Sequence, residues 1–249
     1  SSNSCIEPSL YAKLYLNDWT HETYVRVLFT CLYTLIFVVA LTGNLLVIIS
    51  VCTRKNLQSV RNTFIVSLSL SDLTVCLTSL PITPVYSFMK IWILGKAMCH
   101  FLPLIQGMSV SISSFTLTSI AIDRYILIVH PTKPPISMPY AISMILFTWL
   151  VAASLCAPLS YFSVYEYKED NPSMVPSAPD FCGYFCFEKW PSDDAKRIYG
   201  TSVLIVQFLI PLLIISFSYA NIYLKLKTSI NAKRRKSLYA RNVEYQQQY

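Results

Sequence analysis

Five long apolar runs constrain the fold of this sequence more than any other feature. Together they contain a single charged residue, Asp72, and they cover residues 27–51, 62–89, 101–122, 140–162 and 198–224. A helix needs about 20 apolar residues to cross the hydrocarbon core of a bilayer. The sequence therefore predicts an all-α membrane protein with five transmembrane helices, at about 24–52, 61–89, 97–129, 138–162 and 197–227.

The composition agrees with a chain that lies mostly in a membrane. Only 13% of the residues are charged, whereas soluble proteins average about 25%. The net charge of +7 alone would suggest a nucleic-acid partner. However, the basic residues cluster in short segments beside the apolar runs, as they do in cytoplasmic membrane loops. We therefore expect membrane lipid, and no nucleic acid, around this protein.

The charges of the loops predict the orientation. The segment between the first two runs carries Arg54, Lys55 and Arg61 without an acid, and residues 228–249 are also basic. The loop between the fourth and fifth runs is acidic, with seven acids and four bases between residues 166 and 197. Cytoplasmic loops are enriched in Lys and Arg. This predicts an extracellular tail (1–23), a helical part (24–227), a basic cytoplasmic segment (228–249) and a multi-pass plasma-membrane location.

Two polar residues in the apolar runs are candidates for function. Asp72 lies in the middle of the second run, where a carboxylate costs a few kcal/mol to insert. It indicates either a cation- or proton-linked switch or a structural cluster with Asn44 and nearby serines. Gln106 lies about two turns into the third run, so it either faces a cavity or forms a buried amide bonded to neighbouring helices.

Further candidates lie at the two ends of the third run. Asp123-Arg124-Tyr125 closes its inner end, either as a functional motif or as simple interfacial anchors. The cysteines expected outside the cell, where disulfides persist, are Cys5, Cys99, Cys182 and Cys186. A bridge from Cys99 would fasten the outer loop over the mouth of the bundle.

The sequence resembles the rhodopsin-like (class A) G-protein-coupled receptors. The resemblance covers about 25–227 and is carried by motifs in the order found in that family: Gly43-Asn44-Leu45-Leu46-Val47, Leu68-Ser69-Leu70-Ser71-Asp72, Trp92-Ile93-Leu94-Gly95, Cys99, Asp123-Arg124-Tyr125, Pro131, Trp149, Pro211 and Tyr219. It implies a seven-transmembrane bundle of which this chain holds helices one to five, with a β-hairpin in the outer loop.

Within that class the chain is most similar to the receptors for neuropeptide Y and neuropeptide F. The similar stretches are 80–86, 99–107, 186–191 and 212–219. Where amine receptors have an aspartate, this chain has Gln106, which argues against an amine ligand. The resemblance implies an amidated neuropeptide ligand bound by Gln106, Thr83, Tyr86 and Glu188. It also implies a Cys99–Cys186 disulfide, with Cys182 either free or bonded to Cys5.

The resemblance has further implications for ions and partners. Asp72, Asn44 and Ser113 would hold an allosteric sodium ion, and no other metal or cofactor is expected. The residues implied in coupling to a heterotrimeric G protein are Asp123, Arg124, Tyr125 and Tyr219. Thr132, in place of a bulky apolar residue, favours an inhibitory-type G protein.

Three alternative functions are open at this point. The chain could be a truncated isoform or fragment that does not signal, because the motifs of helices six and seven are not in it. A membrane transporter would need a polar path through several helices, whereas Asp72 is the only charged residue inside the runs. An enzyme is disfavoured, because the runs contain no paired catalytic acids and no nucleophile with a base.

Overall fold

The computed structural model describes residues 19–132, 134–170 and 181–247. The helices are α1 (Thr23–Thr53), α2 (Val60–Met89), α3 (Gly95–Val129) and α4 (Met138–Phe162), followed by α5, whose two α-helical parts, Asp193–Leu204 and Ile210–Gln247, are joined by a π-helical turn, Ile205–Leu209. Short 3-10 turns, Trp19–His21 and Lys55–Leu57, precede and follow α1. Five helices are long and apolar enough to cross a membrane. The predicted fold class is confirmed.

Local sequence signals set several helix ends. Ser59 and Ser192 precede α2 and α5, and their side chains accept hydrogen bonds from the N–H groups of Asn62 and Ala195. Such caps satisfy backbone donors that lack a partner inside the helix. At the other end of α2, Lys90 has a left-handed conformation with φ of 58°, which stops the helix just before the next loop.

Helix α3 is the centre of the bundle and packs against α2, α4 and α5. Its buried side chains are mostly small, and many are hydroxyls: Ser109, Ser111, Thr116, Thr118 and Ser119. Small and hydroxyl residues let membrane helices approach closely and bond to one another. By contrast, α1 packs closely against α2 but has no buried residue in the described part of the chain.

Two direct contacts illustrate this close packing. The indole N–H of Trp149 on α4 donates to the hydroxyl of Ser67 on α2 at 3.0 Å. A Cβ atom added to Gly107 on α3 would lie 2.8 Å from Sγ of Cys156 on α4. A larger residue at position 107 would therefore force the Cys156 side chain or the two helices to move apart.

A β-hairpin follows α4 and covers one end of the bundle. We call this the outer end, and the opposite end, at Asp123 and Arg124, the inner end. Strands β1 (Ser163–Asp170) and β2 (Phe181–Glu188) pair antiparallel, with Ser163 opposite Glu188 and Asp170 opposite Phe181. The rings of Tyr165 and Tyr184 stack across the strands with centroids 4.7 Å apart. Cross-strand aromatic pairs of this kind stabilise a hairpin. The expected β-hairpin of the outer loop is confirmed.

The last helix is longer than a membrane requires. Its second part alone, Ile210–Gln247, has 38 residues, which corresponds to about 57 Å. The hydrocarbon core of a bilayer is about 30 Å thick. The helix therefore continues past the predicted end near residue 227 and leaves the membrane as a basic helical extension.

Candidate functional site

The outer end of α3 is linked covalently to the hairpin. Cys99, which is fully buried, forms a disulfide with Cys186 of β2, the pair that the family resemblance implies. Trp92 and Leu102 are buried beside it. The main-chain N–H of Trp92 also donates to the carbonyl of Tyr184 at 2.7 Å. Together these contacts fasten the hairpin over the outer ends of α2 and α3.

The structure corrects one expectation about the other outer cysteines. Cys182 is disulfide-bonded, so the interpretation that it is a free thiol is wrong. The alternative partner, Cys5, lies outside the described residues. The free cysteines of the described chain are Cys31, Cys52, Cys76 and Cys156.

The loop before α3 is held by its own tryptophan. The indole N–H of Trp92 donates to the carbonyl of Gly95 at 2.9 Å. Gly95 has φ of 74°, a conformation in which a Cβ atom would be strained. The Trp92 ring also meets Tyr86 edge-on at 5.6 Å. The loop therefore positions one of the two α2 residues expected to bind the peptide.

Thr83 and Tyr86 lie on one face near the outer end of α2, because three residues separate neighbours on a helix face. The Thr83 hydroxyl donates to the carbonyl of Ser79 at 2.8 Å, which leaves its lone pairs free to accept. Tyr86 lines a partly open cavity of about 340 Å³, together with Thr20, Val25, Phe29, Ser87, Phe88, Lys90 and Phe185. The outer end of the bundle thus holds a cavity beside the hairpin, and four of its eight lining residues are aromatic.

Gln106 is exposed on α3, eleven residues after the helix begins at Gly95. In the described part of the chain its side chain makes no hydrogen bond, so neighbouring helices do not engage the amide. An unoccupied carboxamide can donate two hydrogen bonds and accept two more. The residue is therefore available to a polar ligand.

Glu188 lies at the end of β2 in a small polar network. Its Oε2 accepts a hydrogen bond from the indole N–H of Trp190 at 2.9 Å and pairs with Nζ of Lys196 at 3.2 Å. The Trp190 ring in turn lies between Phe162 and Tyr199. Glu188 is thus partly neutralised by α5. Of the acidic residues of this loop, Glu166 is exposed, and the side chains of Glu169 and Asp170 lie outside the described residues.

Asp72 lies in the middle of α2 and faces α3. Its Oδ1 accepts a long hydrogen bond of 3.5 Å from the Ser113 hydroxyl. On α1, Nδ2 of Asn44 donates to the carbonyl of Ala40 at 2.9 Å and leaves the amide oxygen as an acceptor. The donor set contains one carboxylate and otherwise neutral oxygens, which fits a hard cation of low charge. Across the described residues, no group of three or more His, Cys, Asp or Glu could hold a metal ion.

A second polar cluster joins α3, α4 and α5 in the middle of the bundle. Gln207 lies in the π-helical turn, is 5% exposed, and its Nε2 donates to the Ser111 hydroxyl. The Ser111 hydroxyl donates to the carbonyl of Gly107 at 2.9 Å and lies 3.6 Å from Sγ of Cys156. Buried polar side chains that bond across helices hold membrane bundles together. We call Gln207, Ser111 and Cys156 the central cluster.

The inner end of α3 contains an ion pair between adjacent residues. Arg124 Nη2 lies 3.3 Å from Oδ2 of Asp123, with the two side chains 29% and 12% exposed. Arg124 Nε is buried and, among the described residues, has no hydrogen-bond partner. A buried unpaired donor costs free energy. The pair is therefore held by one contact and retains an unsatisfied donor.

The two tyrosines expected at the inner end differ in their surroundings. Tyr125 packs against His130 and Phe217, with ring centroids 5.5 Å and 5.9 Å away, which ties α3 to α5. Tyr219 is 52% exposed and forms no hydrogen bond with Arg124 in the described part of the chain. The arrangement thus separates a packed tyrosine from an exposed one.

Comparison with known proteins identifies the family. Residues 43–246 match the family model of the 7 transmembrane receptor (rhodopsin family). The chain belongs to this family. The resemblance inferred from the sequence motifs is confirmed, and an enzyme is excluded by the family.

Relatives narrow the similarity within the rhodopsin family. The chain is 37% identical over 228 residues to the neuropeptide receptor npr-1 of Caenorhabditis elegans. The alignment covers 91% of this chain and 48% of that receptor. It is 38% identical over 220 residues to neuropeptide Y receptor type 2 of Sus scrofa, covering 87% of this chain and 56% of that receptor. The chain therefore spans about half the length of the curated relatives it matches.

The structure joins some of the predicted residues and leaves others apart. Ser113 meets Asp72, and Asp123 meets Arg124, each directly. In the described chain, Asn44 makes no hydrogen bond to Asp72. Likewise, no hydrogen bond joins Gln106 to the α2 residues expected to bind the peptide.

Sequence reasoning missed the central cluster of this rhodopsin-family chain. A signal was present, because Gln207 is a carboxamide in the apolar run 198–224, and polar groups inside a membrane require partners. Its partners could not be found in the same way. Ser111 is 96 residues away in the sequence, and the chain contains many other serines.

Proposed function

We propose that this chain forms part of a receptor for an amidated neuropeptide of the neuropeptide Y or F type, and that it couples to an inhibitory-type heterotrimeric G protein. The similarity over 220–228 residues to receptors named for neuropeptides carries this proposal. The similarity extends over all five helices and so includes the end of the bundle that carries the hairpin. Amine receptors are disfavoured because Gln106 provides no negative charge for an ammonium group.

The chemistry of the outer end supports an amidated peptide. Gln106, Thr83 and Tyr86 offer donors and acceptors without a formal charge, which suits a terminal carboxamide. A free peptide carboxylate would bring a negative charge that these groups do not neutralise. The aromatic cavity beside Tyr86 provides apolar surface for the aromatic residue that such peptides carry at the C-terminus.

The rim of the outer loop supports a cationic peptide. Glu166 is exposed on β1, and Glu188 holds Lys196 by a surface ion pair that a ligand cation can replace. Rim charges mainly raise the association rate and its salt dependence. The acidic loop would thus gather the peptide before its terminal amide enters the bundle.

The membrane orientation belongs to the same proposal. The N-terminal tail and the hairpin lie outside the cell, and the basic extension of α5 lies in the cytoplasm. The positive-inside rule supports this arrangement. The disulfide at the hairpin end supports it as well, since disulfides persist outside the cytosol.

Asp72 and Ser113, with Asn44 nearby on α1, would bind a sodium ion that favours the inactive receptor. The carboxylate and hydroxyl oxygens of these residues can hold such an ion between α2 and α3. Sodium supplies a positive charge that neutralises a carboxylate in the membrane. An ion shifts a conformational equilibrium only by its different affinity for the two states, so sodium would weaken agonist binding.

At the cytoplasmic end, Arg124 would be the residue that meets the G protein. Its single ion pair with Asp123 and its unpaired Nε favour a new partner when the helices move. Tyr125 would keep the inner ends of α3 and α5 together, and exposed Tyr219 would stabilise the released guanidinium. Thr132 offers a poor fit to a hydrophobic socket, which favours the inhibitory-type G protein.

The proposed ligand can be tested in a chimera in which residues 1–247 continue into helices six and seven of neuropeptide Y receptor type 2. We expect an amidated neuropeptide Y-type peptide to bind at least about tenfold more tightly than the same peptide with a free carboxylate. The carboxylate peptide loses a hydrogen bond that the terminal amide donates, and one such bond is worth about a factor of ten in affinity. Radioligand competition on cell membranes measures both affinities.

Variants of the chimera then locate the contact. Gln106→Ala should lower the affinity for the amidated peptide and reduce the preference for the amide over the carboxylate. Gln58→Ala, which removes the same side chain from the exposed first inner loop, serves as the matched control. Equal affinity for the two peptides, or an unchanged preference in Gln106→Ala, would argue against the proposed pocket.

A further inference from the structure

The carboxylate of Glu188 is held in place by a packed tryptophan. Its Oε2 accepts a hydrogen bond from the indole N–H of Trp190 at 2.9 Å. The Trp190 ring lies between Phe162 at the end of α4 and Tyr199 on α5, with ring centroids 4.3 Å and 4.9 Å away. The main chain beside Glu188 is fixed as well, because the N–H of Lys189 donates to the carbonyl of Phe162 at 2.8 Å. Glu188 therefore keeps its position whether or not a cation is bound to it.

The cation that Glu188 holds is much less constrained than Glu188 itself. Nζ of Lys196, in the first turn of α5, lies 3.2 Å from Oε2 of Glu188, and the Lys196 side chain is 55% exposed. In the described part of the chain, Nζ of Lys196 has no other partner. Exposed ion pairs contribute little to stability, because water screens the charges and ordering a long side chain costs entropy. Lys196 can therefore leave Glu188 at a low cost while the carboxylate stays in place.

One oxygen of the Glu188 carboxylate is available to a ligand. Trp190 and Lys196 both bind Oε2, whereas Oε1 accepts no hydrogen bond from the described residues. An ammonium group is a compact charge, whereas a guanidinium group is a planar fork that bonds both oxygens of a carboxylate at once. A ligand guanidinium therefore gains a contact at Oε1 that the ammonium of Lys196 does not make. A ligand ammonium would only replace one ammonium by another.

We propose that Lys196 is a specificity-determining residue of the ligand site, where it competes with cationic ligand groups for Glu188. The inference rests on the proposed peptide receptor and adds to it which cation the outer end selects. With Lys196 present, a ligand ammonium gains almost nothing over a neutral side chain, because it must first displace an equal group. A guanidinium gains through Oε1. Lys196 thus makes an acidic residue that would attract any cation prefer arginine.

The competition can be tested on the full 249-residue chain in detergent, without a peptide. Lysine amines are given carbon-13 methyl groups, which keep the positive charge, and their signals are recorded by two-dimensional NMR. The Lys196 signal is the one that Lys196→Arg removes. We expect Nα-acetylargininamide to move this signal toward its position in Glu188→Gln, and Nα-acetylcitrullinamide at equal ionic strength to leave it in place. Lys189, which is exposed and forms no ion pair in the described chain, is the internal reference.

Two results of this measurement would contradict the inference. A Lys196 signal that is the same in the parent chain and in Glu188→Gln would overturn the ion pair. A signal that the arginine derivative leaves in place would overturn the competition. Neither result depends on whether the chain forms part of a peptide receptor, so failure of the inference and failure of the proposed function are distinguishable.

Peptide binding to the chimera measures the effect on selectivity. Three amidated peptides are compared, with arginine, lysine or citrulline before the terminal aromatic residue. Lys196→Met should raise the affinity for the arginine and lysine peptides by about threefold, the scale of a lost surface ion pair, and leave the affinity for the citrulline peptide unchanged. Lys189→Met, which removes a neighbouring lysine, is the matched control and should leave all three affinities nearly unchanged. An equal gain for the citrulline peptide, or no gain for the arginine peptide, would overturn the inference.

Discussion

The outer and inner ends of the bundle are held together in different ways. At the outer end, the Cys99–Cys186 disulfide, the hairpin and the buried Trp92 fix the chain through covalent and packed contacts. At the inner end, Arg124 has one ion pair to its neighbour Asp123, and Tyr125 makes ring contacts to His130 and Phe217. The outer end therefore suits a preorganised ligand pocket, and the inner end suits contacts that can be exchanged.

The difference also indicates which end of the bundle can change its conformation at a low cost in free energy. Breaking a disulfide that spans 87 residues of sequence removes a constraint on the unfolded chain and typically costs several kcal/mol. Exchanging the carboxylate partner of Arg124 for another acceptor changes little free energy, because one charge-assisted contact replaces another. In the proposed receptor, a signal that enters at the outer end would leave that end intact while it rearranges the inner end.

The largest expected effect follows from removing the outer disulfide. Cys99→Ser or Cys186→Ser should destabilise the outer end by about 2–5 kcal/mol, and surface expression and peptide binding of the chimera should fall sharply. The double variant should be no worse than either single variant, because one bond is lost in all three. Flow cytometry and radioligand binding measure the two effects. The control is Cys52→Ser, at an exposed free cysteine. If Cys52→Ser lost as much expression and binding as Cys99→Ser, the disulfide would have no specific role.

The next largest effect concerns the inner end alone. Arg124→Ala in the chimera should abolish inhibition of cyclic-AMP production and leave peptide affinity within about twofold, because substitutions at distant sites with no shared partners act independently. Asp123→Asn should raise basal signalling, since it weakens the pair that holds Arg124. A cyclic-AMP assay beside a binding assay separates the two ends. If Arg124→Ala reduced binding and signalling equally, the inner end would not be an independent switch.

A smaller effect is expected where the two ends meet, at Asp72. Sodium should weaken agonist binding to the chimera by about fivefold or more, the low end of typical allosteric coupling. Asp72→Asn should remove this sodium dependence, because it removes the carboxylate that would bind the ion. Agonist competition curves in sodium chloride and in N-methylglucamine chloride provide the measurement. An undiminished sodium effect in Asp72→Asn would place the ion elsewhere.

The smallest effect is expected at the central cluster. Gln207→Leu should lower thermal stability by about 1 kcal/mol, the scale of a hydrogen bond between membrane helices. Ser111→Ala should cost a similar amount, and the double variant should cost less than the sum because the two share a contact. A thermal-shift assay in detergent measures each value, with Gln58→Ala as the control. Strictly additive losses would mean that Gln207 and Ser111 act separately.

Several features could be predicted from the sequence because they are local. The five helices follow from the length of the apolar runs, and Asp123 and Arg124 can pair because they are adjacent. The β-hairpin and the class of receptor came from the family resemblance. The location of Asp72 in the middle of a span also follows from the sequence, since its depth depends only on counting residues.

Other features depend on how helices pack and rotate. The bonding of Cys182, the exposure of Gln106 and the exposure of Tyr219 could not be read from hydropathy. The bonding of Cys182 depends on where strand β2 lies, whereas the exposure of Gln106 and of Tyr219 depends on which face of each helix meets a neighbour. The extension of α5 to Gln247 was also not expected, because its basic and polar residues show no apolar face.

The sequence by itself determined the number of membrane spans, the family, and the depth of Asp72, Asp123 and Arg124 along their helices. It could do so because hydropathy and short motifs are properties of the linear chain. Only the tertiary structure decided that Gln207 reaches Ser111 and Cys156. The reason is geometric: a π-helical turn adds a residue to one turn of α5, and one residue corresponds to about 100° of helix rotation. The face of α5 that meets α3 is therefore set by the fold and not by the apolar pattern.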